Sequence, residues 1–206
     1  MVSYRVIVKG SDVSEWTLQS LVLFALFGFL SVAAWTDVRH RRIPNAVVLT
    51  GLFAGLALNG LLPLVLGYTD GVVPGELGWF PAFKGAGYGL LMLLPLYWLR
   101  VMGAGDVKLV AMVGAFVGSV SIVGAVLATF LAGGAMALAV ALRRGVLVTM
   151  LRNVRLILMG GLVKAGAGQL PKVERLSVSV GDLPYGVAIA VGTVAYLLWQ
   201  RSGAVF

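Results

Sequence analysis

The amino-acid sequence predicts an all-α, polytopic membrane protein: a bundle of about six transmembrane helices with an added amphipathic helix on the cytoplasmic surface. Three observations predict it. The 206 residues are 60% hydrophobic and only 12% charged, where soluble domains carry about 25% charged residues. The apolar residues are gathered into long uncharged runs, several of them near the ~20 residues that cross a bilayer core. The 16 Lys and Arg residues are divided unevenly between the segments separating those runs, as a chain with a cytoplasmic side requires. Glycine, at 28 residues, is about twice its usual share, which suits close helix packing in lipid.

Residues 16–36 carry no charge and form the first expected helix. Residues 43–69 form the second, starting near Pro44 and Asn45; a proline in the first turn lacks only an N–H that has no helical partner anyway. Residues 85–99 form the third, extended by Lys84, whose ammonium can snorkel to the interface. Residues 109–142 are also uncharged. One helix of that length would measure about 51 Å against a core of about 30 Å. Two helices with a turn at 118–121 fit better, the fourth beginning at Asp106 and the fifth ending before Arg143. Residues 183–200 form the sixth.

Residues 143–182 are read as a basic cytoplasmic loop. Within it, 146–159 is apolar but carries Thr149, Arg152, Asn153 and Arg155 along one side. It is too short to span, so an interfacial helix is expected, a soluble helix packed on the bundle being the alternative. Residues 1–15 do not read as a secretory signal and are taken as an outer segment. The whole chain, 1–206, is expected to be one membrane-embedded domain.

Twelve of the 16 basic residues fall behind helices 1, 3 and 5, leaving Arg5, Lys9, Lys84 and Arg201 on the other side. The positive-inside bias then puts both termini outside the cytoplasm. With no cysteine there is no disulfide and no thiolate ligand or nucleophile. With one histidine, His40, there is no multi-histidine metal site. No metal and no cofactor is expected. The net charge of +8 is assigned to orientation and to contact with membrane lipid rather than to nucleic acid. The pairs Gly51/Gly55, Gly85/Gly89 and Gly114/Gly118 have GxxxG spacing; they are expected to pack helices within the bundle, with a homo-oligomer face as the alternative.

Asp37, Asp106 and Asp182 fall at cytoplasmic helix ends, and ionisable groups at membrane depth are costly enough to be functional candidates. Each has a structural alternative: Asp37 pairing with Arg41 one turn on, Asp106 and Asp182 as helix N-caps. Asp37 and Asp106 share a depth and a leaflet. Two neighbouring carboxyls cannot both ionise cheaply, so one can activate water while the other, protonated, donates to a scissile carbonyl. Gly103 and Gly105 leave room for a substrate strand beside Asp106.

The motifs Asp37…Ile43-Pro44-Asn45 and Gly103-Ala104-Gly105-Asp106-Val107-Lys108 resemble the type IV prepilin peptidase family of GxGD membrane aspartyl proteases. Leu183-Pro184-Tyr185-Gly186 resembles that family's last motif. The resemblance implies that Asp37 and Asp106 are the catalytic pair. It implies support or substrate-binding roles for Gly103, Gly105, Lys108, Pro44, Asn45, Pro184, Tyr185 and Gly186. It also implies pilin-like precursors as partners, with a basic leader removed at the cytoplasmic face of the inner membrane. Many members carry a cysteine-pair domain and N-methylate the product. This chain has no cysteine and only six residues between Asp37 and Pro44, so it resembles the short, peptidase-only form found in archaeal preflagellin and tight-adherence pilus systems. Two other classes compete: a proton-coupled transporter or channel using the same aspartates as a relay, and a structural subunit of a secretion assembly. No inverted repeat of the kind transporters show is visible.

Overall fold

The computed structural model describes residues 12–65, 78–166 and 184–203. Among them there is no strand. Six helices follow in order: α1 (Asp12–His40), α2 (Asn45–Val65), α3 (Trp79–Trp98), α4 (Ala104–Arg143), α5 (Leu147–Gly166) and α6 (Tyr185–Arg201). Among the described residues, Ser20–His40 and Ala104–Arg143 are long and apolar enough to cross a membrane. Most of residues 1–15, the 66–77 part of the outer loop, and Asp182 and Leu183 lie outside the described residues.

The uncharged 109–142 stretch does not form one straight rod. Gly118 has φ 80° and ψ −179°, a backbone conformation that is essentially open to glycine alone. The contacts on either side show that the chain folds back there. Before Gly118, α4 runs antiparallel to α3: Gly85 abuts Gly114, and Gly89 sits against the Val110 carbonyl. It runs parallel to α2, with Gly51 against Met112 and Gly55 against Phe116. After Gly118 it runs antiparallel to α6. Ser121 accepts a hydrogen bond from Gln200, Gly124 meets Tyr196, Gly192 meets Thr129, and Gly133 meets Tyr185. The expected turn at 118–121 is therefore present, reduced to a single residue.

A break in a helix strands the carbonyls just before it. Here a side chain from α2 takes them. The buried Asn59 amide donates to the Ala115 carbonyl at 2.6 Å and to the Phe116 carbonyl at 3.1 Å. The first arm of α4 is the core of the molecule, with 107 and every residue from 109 to 118 buried. Taken whole, α4 packs on α3, α6 and α2, and α1 closes the bundle against α6 and α2. The three GxxxG pairs are used inside the chain; a Cβ on Gly85 or Gly114 would enter the other's backbone.

The outer surface is apolar: Phe24, Phe53, Phe80 and Leu131 are each about two-thirds or more exposed, where lipid rather than water is the compatible solvent. Helix ends are closed locally. Arg41 (φ 52°) ends α1 with its N–H on the Asp37 carbonyl, and Arg100 (φ 58°) ends α3 with bonds from 100 and 101 to Tyr97 and Leu96. Both are left-handed caps without the usual glycine.

Candidate active site

The inward residues of α1 recur at Val22, Leu26, Leu30, Ala33 and Asp37, steps of three and four that mark one helical face. A carboxyl group thus occupies the last place in an otherwise apolar stripe. Asp37 is 7% exposed, and burial of such a group demands a partner. The partner is the N–H of Gly186, which donates to Asp37 Oδ2 at 2.7 Å. Gly186 lies in the first turn of α6, where main-chain N–H groups have no intrahelical acceptor. Pro184 is the N-cap of that helix and Tyr185 its first residue. The carboxylate of one helix therefore caps the start of another. A Cβ on Gly186 would lie 3.0 Å from Asp37 Oδ2 and 3.1 Å from Asp37 Cβ, so only glycine lets the two backbones come this close.

Asp106 enters from α4. The helix begins at Ala104, with Gly103 as N-cap, so Asp106 is the third helical residue and not the N-cap that was its structural alternative. Its Oδ2 accepts from the Gly103 N–H at 3.3 Å, which is the carboxylate half of a capping box. Gly105 has ordinary helical geometry. Its missing side chain serves close approach: a Cβ there would touch Ile43 Cβ at 3.4 Å. The 41–44 connection is thereby laid against the first turn of α4. Beside it, Lys108 Nζ donates to Asn45 Oδ1 at 3.2 Å, tying the starts of α4 and α2. Pro44 immediately precedes this contact and is exposed.

These elements converge. The charge of Asp37 acts on Asp106, and Asp106 in turn lies within electrostatic reach of Tyr185. Tyr185 rests on the returning arm of α4, where a Cβ on Gly133 would sit 3.1 Å from its hydroxyl oxygen. Asp37, Asp106, Tyr185 and Gly186 form the centre. Gly103 and Gly105 shape the Asp106 turn, Pro184 starts α6, and Lys108 and Asn45 lie at the exposed margin. Asp182 and Leu183 fall outside the described residues. His40 is exposed at the end of α1. Among the described residues no group of three or more His, Asp or Glu side chains could hold a metal ion. Sequence reasoning missed Gly133 and Asn59. Asn59 had a readable signal, as an amide inside an uncharged helical run. Gly133 had none, because its partner comes from a different helix.

Among the described residues the chain is all-helical with an apolar exterior, and Asp37 and Asp106 both stand at one end of its bundle. The sequence model of the type IV leader peptidase family matches residues 24–138, a stretch that contains Asp37, Asn45, Gly103, Asp106 and Lys108. The chain belongs to the type IV leader peptidase family; it is a peptidase and a membrane protein. No curated protein and no solved structure matches it.

Proposed function

We propose that the protein is an aspartyl endopeptidase of the inner membrane that removes the basic leader from type IV pilin-like precursors at the cytoplasmic face. The observation that carries this reading is that Asp37 and Asp106 stand at the same end of the bundle, on helix ends linked by the Gly186–Asp37 bond, the Gly105–Ile43 contact and the Lys108–Asn45 bond. Each stands on its own helix, Asp37 in the last turn of α1 and Asp106 in the first turn of α4.

The chemistry follows from two carboxyls sharing a proton. The ionised one takes a proton from water as the water oxygen attacks the scissile carbonyl carbon. The protonated one gives its hydrogen to the carbonyl oxygen, forming a gem-diol. Collapse breaks the C–N bond: the leaving nitrogen takes the proton gained from water, and one gem-diol hydroxyl gives its proton back to the other carboxylate as the new carboxyl group forms. The Gly186 N–H fixes Asp37 for this exchange, and fixed placement is worth large factors in rate. Gly103 keeps the space beside the Asp106 carboxyl free of a side chain, and Gly105 lets Ile43 pack against the Asp106 turn.

Orientation supports the assignment of face. Arg39, Arg41, Arg42, Arg100 and Lys108 belong to the helix ends that carry the site, whereas Lys84 and Arg201 belong to the opposite ends. Counting α4 as two crossings, α1, α2, α3 and α6 bring the total to six, with both termini outside the cytoplasm.

The deciding experiment is coexpression with a pilin-like precursor. Asp37→Asn and Asp106→Asn are expected to insert at normal levels and to lower leader removal by at least about a hundredfold, the scale of a lost acid–base group. Full processing by either variant refutes the pair.

A further inference from the structure

We propose that α5 lies on the membrane surface and binds anionic phospholipid. The chain leaves α4 through a tight corner. The Gly145 N–H bonds the Leu142 carbonyl at 3.1 Å and the Val146 N–H bonds the Ala141 carbonyl at 3.0 Å, with Gly145 at φ 65°. This is a Schellman turn, which ends one helix and redirects the next. The returning arm of α4 has by then passed the level of the site. Gly133 touches Tyr185, and the helix continues from there to Arg143, about 15 Å further. The corner therefore stands beyond the end of the bundle that carries the arginines of α1 and α3.

Among the described residues α5 packs only against α4. Val148 is 80% exposed and Leu151 59% exposed. Leu147, Leu151 and Val154 follow one another at steps of four and three, and so form one stripe. Val148, Arg152, Arg155 and Met159 form the adjoining stripe by the same rule. Arg152 and Arg155 are exposed and flank the apolar face. At an interface, that placement lets the side-chain stems lie along hydrocarbon while the guanidiniums meet phosphate.

Charge selects the occupant. Residues 143–166 contain Arg143, Arg144, Arg152, Arg155 and Lys164 and no acidic residue. A precursor with a basic leader is repelled by such a face, whereas an anionic lipid headgroup is attracted. The proposal rests on the membrane part of the reading above, not on the peptidase chemistry, and its quenching readout needs no substrate.

The chain contains no cysteine, so Val154→Cys supplies one unique thiol for a fluorophore in the full-length protein. The labelled protein is placed in phosphatidylcholine nanodiscs with and without phosphatidylglycerol. Quenching by brominated lipid is compared with quenching by aqueous iodide. Lipid-borne quenching is expected to dominate and to rise severalfold with phosphatidylglycerol. Arg152→Gln with Arg155→Gln is expected to abolish that rise, and Arg152→Lys with Arg155→Lys to retain it. Equal access to iodide in both membranes would mean a helix standing in water, and overturns the proposal. A phosphatidylglycerol response unchanged in the glutamine pair overturns it as well. Leader removal in the same preparations separates this outcome from failure of the peptidase reading.

Discussion

Gly186 gives Asp37 an N–H to hold and a space to occupy. Both depend on the absence of a side chain, because a Cβ would stand 3.0 Å from the carboxylate oxygen. Gly186→Ala is therefore expected to push Asp37 aside by a few tenths of an ångström without unfolding the bundle. If Asp37 reacts as proposed, a misplacement of about 1 Å would cost about a hundredfold in rate; for this smaller shift we expect about tenfold, read as a fall in leader removal at unchanged melting temperature. An alanine variant with wild-type turnover would show that the contact is only structural. Gly105 is a milder case. Its neighbour is Ile43 Cβ at 3.4 Å, so Gly105→Ala should be tolerated. Gly105→Val should separate the 41–44 connection from α4 and lower activity more than expression, as a comparison of yield and turnover would reveal. At this scale the sequence was informative where chemistry leaves a compositional mark. Two acids at helix ends, with glycines beside one of them, stand out in a chain with only eight acidic residues. The bond from Gly186 to Asp37 joins residues 149 positions apart, and no local pattern encodes such a pairing.

The helices themselves were legible from length and polarity. The fold-back was legible from the conflict between a 34-residue uncharged run and the thickness of a bilayer. The choice of partners was not, because apolar residues prefer lipid and protein neighbours almost equally. GxxxG spacing announces a close approach without saying to what. Asn59 shows what the pattern hides: an amide on α2 that satisfies the carbonyls freed by a glycine on α4. Asn59→Ala leaves two buried carbonyls without those donors, at a cost of about 1–3 kcal/mol for an unsatisfied buried group. A lowered melting temperature in detergent is expected, with residual activity in proportion to the folded fraction. Gly85→Ala should be worse, because the new methyl meets the Gly114 backbone and not a movable side chain; poor accumulation in the membrane would register it. If Gly85→Ala accumulates normally, α3 and α4 are not in contact at this point.

For the whole molecule, the site collects the starts of α2, α4 and α6 and the end of α1 in one layer, and Arg201 ends α6 at the opposite face. A single cysteine at Ser202 should therefore react with an impermeant thiol reagent from outside intact cells, and one at Arg42 only after the membrane is opened. Labelling of both from the same side would overturn the six-crossing arrangement. Gly118 has a consequence for biogenesis. A nascent membrane chain keeps count: each crossing decides on which side the next loop is delivered. In the proposed six-crossing arrangement the fold-back supplies one crossing of that count, through a single residue whose backbone other amino acids resist. Were it to straighten, everything after it would be delivered on the wrong side, and Tyr185 and Gly186 would arrive across the membrane from Asp37. One glycine thus governs whether the last helix and the first can meet at all.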